Sequence, residues 1–395
     1  MIKRLSACVV VRTMVAVGTA AVVASCGTLT RNALPETTVL SEVAAAPGPV
    51  RFWGDTVPAD MAALARQRHA QYRAAGVDPS GVMSYLAVSG GGSDGAFGAG
   101  LLVGWSEAGT RPQFDVVTGI STGALIAPLA FLGSAYDPQL KEVYTSYGLA
   151  DLAQRRSVVA AVAGVSAADN APMAALIGRY ITAEFLERVA GEHRKGRRLL
   201  IGTTHLDAQR PVIWNMGEIA ARGEEKALEL FRTVMLASAA IPGVFPPVLI
   251  PIEQQGGRFD EMHVDGGVAS QVFIFPAQFD PRSVDRMFGR TPKRRLFIVR
   301  NGRLNPEWEP VPPHLVNIAG RSIASLIKYQ GRGDLDRMYL QSRRAGADFN
   351  LASIPASFTE REKEPFDRQY MNALFDVGYE LGRSGYRWQK KPPDL

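Results

Sequence analysis

A serine lies where the sequence changes from a strand pattern to a helix pattern. Residues 114–118 include two β-branched valines, and residues 124–132 are apolar and helix-compatible. Between them, Gly-Ile-Ser-Thr-Gly at residues 119–123 has the G-x-S-x-G spacing of a nucleophile elbow, whose sharp turn exposes the hydroxyl of Ser121 above a sheet. The flanking glycines let the chain double back without side-chain collisions. This pattern alone would also fit an ordinary turn.

A glycine-rich loop and an aspartate supply the other groups that acyl transfer needs. Gly90, Gly91 and Gly92 follow a predicted strand and open a helix pattern, so their amide N–H groups could hold an oxyanion. Asp265 ends another short strand, where it could accept the serine proton. An aspartate with a pKa of ~3.9 is a weak base. Burial must therefore raise its pKa, or the oxyanion contacts must lower most of the barrier.

His263 is an alternative base, because it shares a strand face with Asp265 and would allow a Ser-His-Asp triad. A triad predicts an essential ionisation near pH ~6.5, and a Ser-Asp pair predicts none there. The remaining histidines have no metal-ligand spacing, so no metal is expected. The glycine loop lacks the acidic residue of a dinucleotide site, so neither a nucleotide nor another cofactor is expected. These histidines are His69, His193, His205 and His314.

The order of these motifs resembles the patatin-like phospholipases. The resemblance runs from residue 85 to residue 272 and includes an alanine- and proline-rich segment at residues 238–247. It implies that Ser121 is the nucleophile, that Asp265 is its partner in a Ser-Asp dyad, and that the three glycine amides form the oxyanion hole. Alternating strands and helices independently indicate an α/β fold with a partly parallel sheet. The resemblance makes this a patatin-like three-layer α/β/α sandwich.

Two residues depart from the family pattern. Many members have Arg or Lys where this chain has Asp94, and often Asp where it has Ser89. An acid in the first turn of a helix suits the helix dipole. It also brings negative charge towards a site that must stabilise one, which predicts a slower enzyme. For Gly91, the sequence predicts that an added methyl group impairs turnover more than folding, because it would displace an oxyanion donor.

The N-terminus has the layout of an export signal. A short cationic start precedes the apolar residues 14–24, and Val-Ala-Ser-Cys at residues 23–26 looks like the lipobox of a bacterial lipoprotein. The resemblance implies a signal peptide at residues 1–25 and a lipidated Cys26. Both cysteines lie within the first 26 residues, so no internal disulfide is expected in the mature chain. The residue after Cys26 is Gly27, which favours the outer membrane of the cell envelope if the host has one.

The rest of the chain divides into four predicted parts. Residues 26–58 form a tether, residues 59–84 an N-terminal helical segment, residues 85–300 the catalytic core, and residues 301–395 a helical extension packed on it. Within the extension, the pattern predicts separate helices at residues 317–328, 332–344 and 372–383. The alanine-rich residues 150–180 are interpreted as an outer helix layer, with a lid or lipid-facing surface as the alternative.

Composition and charge limit the classes of function that the chain could have. The 395 residues carry a formal charge of +6, and their Lys and Arg residues are scattered, so no nucleic-acid partner is expected. Grouped on one face, they could contact an anionic lipid surface. The sequence predicts a membrane-anchored serine hydrolase that cleaves lipid or other acyl esters through an acyl-enzyme. The alternative is a lipoprotein that keeps the fold, has catalysis weakened by Asp94, and acts as a binding or envelope-organising module.

Overall fold

The computed structural model describes residues 29–35, 50–78, 80–157, 164–254, 256–393 and 395. The proposed signal peptide and Cys26 therefore lie outside the described residues. The described strands are β1 (Arg51–Trp53), β2 (Val82–Val88), β3 (Val116–Ile120), β4 (Gln154–Arg155), β5 (Ala168–Asp169), β6 (Arg198–His205), β7 (Arg210–Asn215), β8 (Val248–Gln254), β9 (Gly257–Asp265), β10 (Lys293–Arg300) and β11 (Ala347–Ser353).

Twelve helices are described within these ranges. They are α1 (Met61–Ala74), α2 (Gly95–Glu107), α3 (Thr122–Leu132), α4 (Asp137–Thr145), α5 (Leu149–Leu152), α6 (Ala171–Tyr180), α7 (Ala183–Arg194), α8 (Met216–Ala221), α9 (Glu225–Ser238), α10 (Pro281–Phe288), α11 (Leu315–Ala345) and α12 (Arg368–Arg383). None of these described helices has both the length and the apolar composition needed to cross a membrane.

Nine strands form one mixed sheet in the described chain. Its main path is β1-β7-β6-β3-β2-β10-β11, and the hairpin β8-β9 joins it through β6. The five strands from β6 to β11 along this path are mutually parallel, whereas β1, β7, β8 and β9 pair antiparallel. Because parallel strands end at the same edge, the loops after β2, β3 and β10 lie side by side.

Side chains that alternate along the strands divide the core into two halves. On β2, Leu86 and Val88 pack with helices α2, α3 and α12, whereas Tyr85 and Ala87 pack with α1 and α11. The sheet is thus covered by helices on both faces. The fold is the expected three-layer α/β/α sandwich with a partly parallel central sheet.

Helices α2 and α12 approach each other closely through glycines. A Cβ at Gly100 or Gly104 of α2 would collide with the backbone of α12, and a Cβ at Gly378 or Gly382 of α12 would collide with the backbone of α2. This close approach brings α12 over the N-terminal end of α2, which directly follows the glycine-rich loop. The C-terminal helix therefore contributes to the surroundings of the candidate site.

Three sequence expectations about the outer parts of the chain need correction. Strand β1 lies within the predicted tether and pairs with β7, so residues 51–53 belong to the sheet. Strand β11 lies within the predicted helical extension and pairs with β10 along its whole length. Residues 317–328 and 332–344 are parts of one helix, α11, and not two.

Candidate active site

Ser121 lies on a sharp turn between β3 and α3. Its backbone angles are φ 55° and ψ −126°, and positive φ is rare and strained for a residue with a side chain. The turn requires the flanking glycines, since a Cβ at Gly119 would collide with the carbonyl of Gly123, and a Cβ at Gly123 with the carbonyl of Val88. The strand-turn-helix context predicted for the serine is therefore present.

Strand pairing brings Asp265 beside this serine. Ile120, the last residue of β3, pairs with Gly202 of β6, and the next residue of β6, Thr203, pairs with Asp265. Ser121 Oγ donates a hydrogen bond to Asp265 Oδ2 at 2.6 Å. The other carboxylate oxygen accepts the amide N–H of Gly267 at 2.7 Å. The two predicted residues thus make direct contact, although 144 positions separate them in sequence.

Burial raises the pKa of Asp265 to about 6, while the hydrogen bonds from Ser121 and Gly267 oppose this shift. A carboxylate with this pKa is a better proton acceptor at neutral pH than an ordinary aspartate, and it is still ionised there. The raised pKa of Asp265 changes one expectation drawn from the sequence. An ionisation near pH ~6.5 no longer distinguishes a histidine base from an aspartate base.

The three glycines of the predicted oxyanion hole differ in their contacts. The Gly90 N–H donates to the carbonyl of Gln271 at 3.0 Å, so this amide is already engaged. Among the described residues, the N–H groups of Gly91 and Gly92 have no hydrogen-bond acceptor. A Cβ at Gly91 would collide with the backbone of Asn301. A methyl group at Gly91 would therefore disturb packing as well as the amide, so the predicted separation of turnover from folding does not hold at this residue.

A buried arginine supports the glycine loop from behind. Arg300 Nη1 donates to the Gly90 carbonyl at 2.9 Å and to Ser89 Oγ at 3.0 Å. Because the peptide bond is trans, this contact turns the N–H of Gly91 to the opposite side, away from Arg300. Asn301 completes the support, since its side-chain amide donates to the Ser89 carbonyl at 2.9 Å. Its backbone N–H donates to Ser89 Oγ at 2.8 Å.

Arg300 was not among the site residues predicted from the sequence, where it only marks the end of the predicted catalytic core. A charged residue directly after an apolar run, at the carboxyl end of a parallel strand, was the available signal.

The carboxylate of Asp94 is bound by the C-terminal helix α12. The hydroxyl of Tyr370 on α12 donates to Asp94 Oδ1 at 2.6 Å. Burial raises the pKa of Asp94 to about 6, and the nearby charges of Arg303 and Arg300 counter its negative charge. The departure from the family pattern at this position is therefore accommodated by a hydrogen bond and two cations.

His263 does not contact Ser121 or Asp265 among the described hydrogen bonds. Its Nδ1 lies 3.0 Å from Thr203 Oγ1, and its Nε2 lies 3.2 Å from Glu261 Oε2. The ring is fully buried, and burial lowers the pKa of His263 to about 4. The geometry gives no support to the alternative in which His263 is the base.

One group of described residues has the composition of a metal site. Ligand atoms of His205, Glu261 and His263 all lie within 4.8 Å of one another. However, the guanidinium of Arg51 binds both oxygens of Glu261, and Thr203 and Glu261 engage both ring nitrogens of His263. A cation already occupies the carboxylate, so this group fits a buried ion pair better than a metal centre.

An apolar cavity begins beside the serine. Its lining includes Gly92 and Thr122 at the site and Met173 and Ile177 of α6. Helix α6 lies within the alanine-rich region that was interpreted as an outer layer. Its buried side chains show that part of this region forms the wall of the cavity. This apolar lining beside Ser121 suits a hydrocarbon chain better than a polar ligand.

We expect Arg300→Met to reduce kcat with little change in KM, because it removes the donor that orients the Gly90-Gly91 peptide. Full loss of one oxyanion donor costs about 10²–10³ in turnover, so a misaligned donor should cost roughly tenfold or more. Arg294→Met is the matched control, since Arg294 lies on the same strand, is equally buried and pairs with Asp285. Kinetics on a soluble ester and melting temperatures test this. Equal losses of kcat in both folded variants would contradict it.

Two solved structures are similar to the chain at low identity. The first is VipD from Legionella pneumophila, with 12% identity and a TM-score of 0.38 over 76% of this chain and 66% of that protein. The second is human GIVD cytosolic phospholipase A2, with 10% identity and a TM-score of 0.32 over 79% of this chain and 56% of that protein. The chain thus spans less than two thirds of the length of either.

No curated protein matches the sequence. The family model described as patatin-like phospholipase matches residues 86–277. This range includes the glycine-rich loop, the serine elbow and Asp265, all of which meet at one edge of the sheet. Residues 86–277 are therefore identified as a patatin-like phospholipase domain.

Proposed function

We propose that the protein is a serine hydrolase of lipid acyl esters that uses a Ser121-Asp265 dyad. The family assignment supports lipid acyl hydrolysis in general. The observation that carries the specific proposal is the 2.6 Å hydrogen bond between Ser121 Oγ and Asp265 Oδ2, made on a strained turn beside an apolar cavity. A phospholipase A or lysophospholipase is the enzyme type that best suits this combination of a nucleophile and an apolar pocket.

In the proposed reaction, Asp265 takes the proton of Ser121 as Oγ bonds to the ester carbonyl carbon. The carbonyl electron pair moves to oxygen, where the free amides of Gly91 and Gly92 donate to it. Collapse of this intermediate breaks the ester C–O bond, and the alcohol leaves with the proton from Asp265. Water then attacks the acyl-enzyme, gives one proton to Asp265, and releases the acid as Ser121 is reprotonated.

We also propose that the chain is anchored in a bacterial cell envelope through lipidated Cys26. The support is the lipobox-like sequence at residues 23–26, which lies outside the described residues. Labelled fatty acid should enter the wild-type chain and not Cys26→Ala. Equal labelling of the two would refute the anchor.

Ser121→Ala and Asp265→Asn should lose turnover to a similar extent, because residues that act as one unit give non-additive losses. His263→Ala should keep most turnover per folded molecule, since its contacts are with Thr203 and Glu261. A fluorophosphonate probe and a soluble short-chain ester provide the measurements. A folded His263→Ala as inactive as Ser121→Ala would defeat the dyad. A wild-type chain that reacts with neither reagent would favour the binding-module alternative.

The pH dependence of kcat tests the Ser121-Asp265 pair in a second way. Asp265 must be ionised to accept a proton, so kcat should rise as pH rises through about 6 and then level off. The pKa of Asp94 is also raised to about 6, and Asp94→Asn should leave this limb unchanged. His263 has a lowered pKa, so the fold loses stability as pH falls below ~6.5, and melting must be followed at each pH. If Asp94→Asn abolished the rise of kcat with pH, the assignment of this ionisation to Asp265 would be contradicted.

Met173→Trp should shift the enzyme towards short substrates, because the larger side chain fills the cavity that we assign to the acyl chain. Each excluded methylene is worth about tenfold or more in discrimination, so long-chain esters should lose at least tenfold relative to a short ester. Ala175→Trp is the control, because Ala175 lies on the exposed side of the same helix. Equal loss of rate on short and long esters in Met173→Trp would contradict the pocket assignment.

A further inference from the structure

The N-terminal half of helix α11 exposes an unusual number of large apolar side chains. They are Leu315, Val316, Ile318, Ile323, Leu326, Ile327 and Tyr329, with exposed fractions between 41% and 83%. Single exposed apolar residues are ordinary, but a contiguous set on one element marks an interaction surface. We call residues 315–330 the apolar arm. At 1.5 Å per residue it is ~24 Å long.

The protein's own contacts turn the apolar side of the arm outward. At 3.6 residues per turn, Asn317, Arg321 and Lys328 fall on one side, and the large apolar residues cover about half of the circumference on the other. Lys328 Nζ donates to Glu307 Oε2 at 2.8 Å, and Arg321 pairs with Glu309 at 3.4 Å. These contacts hold the polar side against the segment that precedes the helix.

The arm ends directly beside the candidate active site. Gln330 Nε2 donates to the carbonyl of Val268 at 3.2 Å, and Gln330 Oε1 accepts from Gln271 at 3.1 Å. Val268 lies three residues after Asp265 and is itself exposed. One turn farther along α11, Asp334 accepts the backbone N–H of Gln271 at 2.6 Å. A surface that covers the arm would therefore also lie next to the loop that carries the dyad aspartate.

We propose that the apolar arm docks on a lipid surface and lies in the plane of the interface. An apolar half-cylinder with polar residues on its other side is the pattern of interfacial helices. The arm has no acidic residue, and its two cations, Arg321 and Lys328, pair with Glu309 and Glu307, so its attraction to lipid comes from the apolar side. A second copy pairing through one helix would bury only a narrow stripe. The proposal rests on the proposed function in one respect: a lipid ester substrate resides in such a surface.

The test uses the full chain with Cys8→Ala and Cys26→Ala, which removes both cysteines. Leu326→Cys then carries an environment-sensitive fluorophore on the arm. Leu340→Cys is the matched control, because Leu340 is exposed on the other half of the same helix. Vesicles of phosphatidylcholine and phosphatidylglycerol should shift the emission of the label at residue 326 to the blue, and brominated lipids should quench it. The label at residue 340 should change little.

The proposal is overturned if the protein floats with vesicles while the label at residue 326 stays in water. It is also overturned if that label shifts with protein concentration in the absence of lipid, which would identify a second copy as the occupant. The double variant Leu315→Gln, Leu326→Gln should weaken vesicle partition of the Cys26→Ala chain at least tenfold, since two buried leucines are lost. Full partition in this variant would likewise overturn it. Lipid insertion of the label without ester hydrolysis would leave the docking proposal standing and defeat the proposed function.

Discussion

The candidate site depends on one edge of strand β6, which pairs first with one strand and then with another. Strand β6 pairs with β3 as far as Gly202, and from Thr203 onward the same edge pairs with β9. The serine leaves the sheet where β3 ends, and Asp265 enters at the next position. Thr204 adds a hydrogen bond from Oγ1 to the Asp265 carbonyl at 3.0 Å. Backbone pairing, which every buried strand must complete, thus fixes the distance between the hydroxyl and the carboxylate.

The same hairpin carries two buried carboxylates with opposite properties. Burial opposes the charge of Glu261, but the hydrogen bond from His263 and the Arg51 guanidinium on both oxygens hold the pKa of Glu261 well below its usual range. Asp265, four residues later, has only a hydroxyl and an amide as partners, and burial raises its pKa to about 6. When their surroundings give two carboxylates very different pKa values, the two side chains are suited to different roles. Glu261 is suited to a permanent charge in the core, and Asp265 to gaining and losing a proton.

Local patterns in the sequence were sufficient to find β2, β3, the end of β9 and the serine elbow, because apolar runs and glycines depend directly on the backbone nearby. Contacts between distant segments were not accessible in this way. Arg300 reaches Ser89 across 211 positions, and nothing local indicates that pairing. Strand β11 was missed because Asp348 and Asn350 interrupt its apolar pattern and because its partner, β10, is distant in sequence. Gly331 lies in the gap between two predicted helices, residues 317–328 and 332–344, although it continues α11 and leaves room for the Arg300 guanidinium.

Helix α11 is connected to the glycine loop by two separate routes. Through Asp334 it holds the backbone of Gln271, whose carbonyl accepts the Gly90 N–H. Through Gly331 it packs on Arg300, whose guanidinium binds the Gly90 carbonyl. Both routes end on Gly90, one on its N–H and one on its carbonyl, so they set the orientation of the Gly91 amide that follows. A force that fixes or displaces α11 therefore acts on the proposed oxyanion donor, the N–H of Gly91.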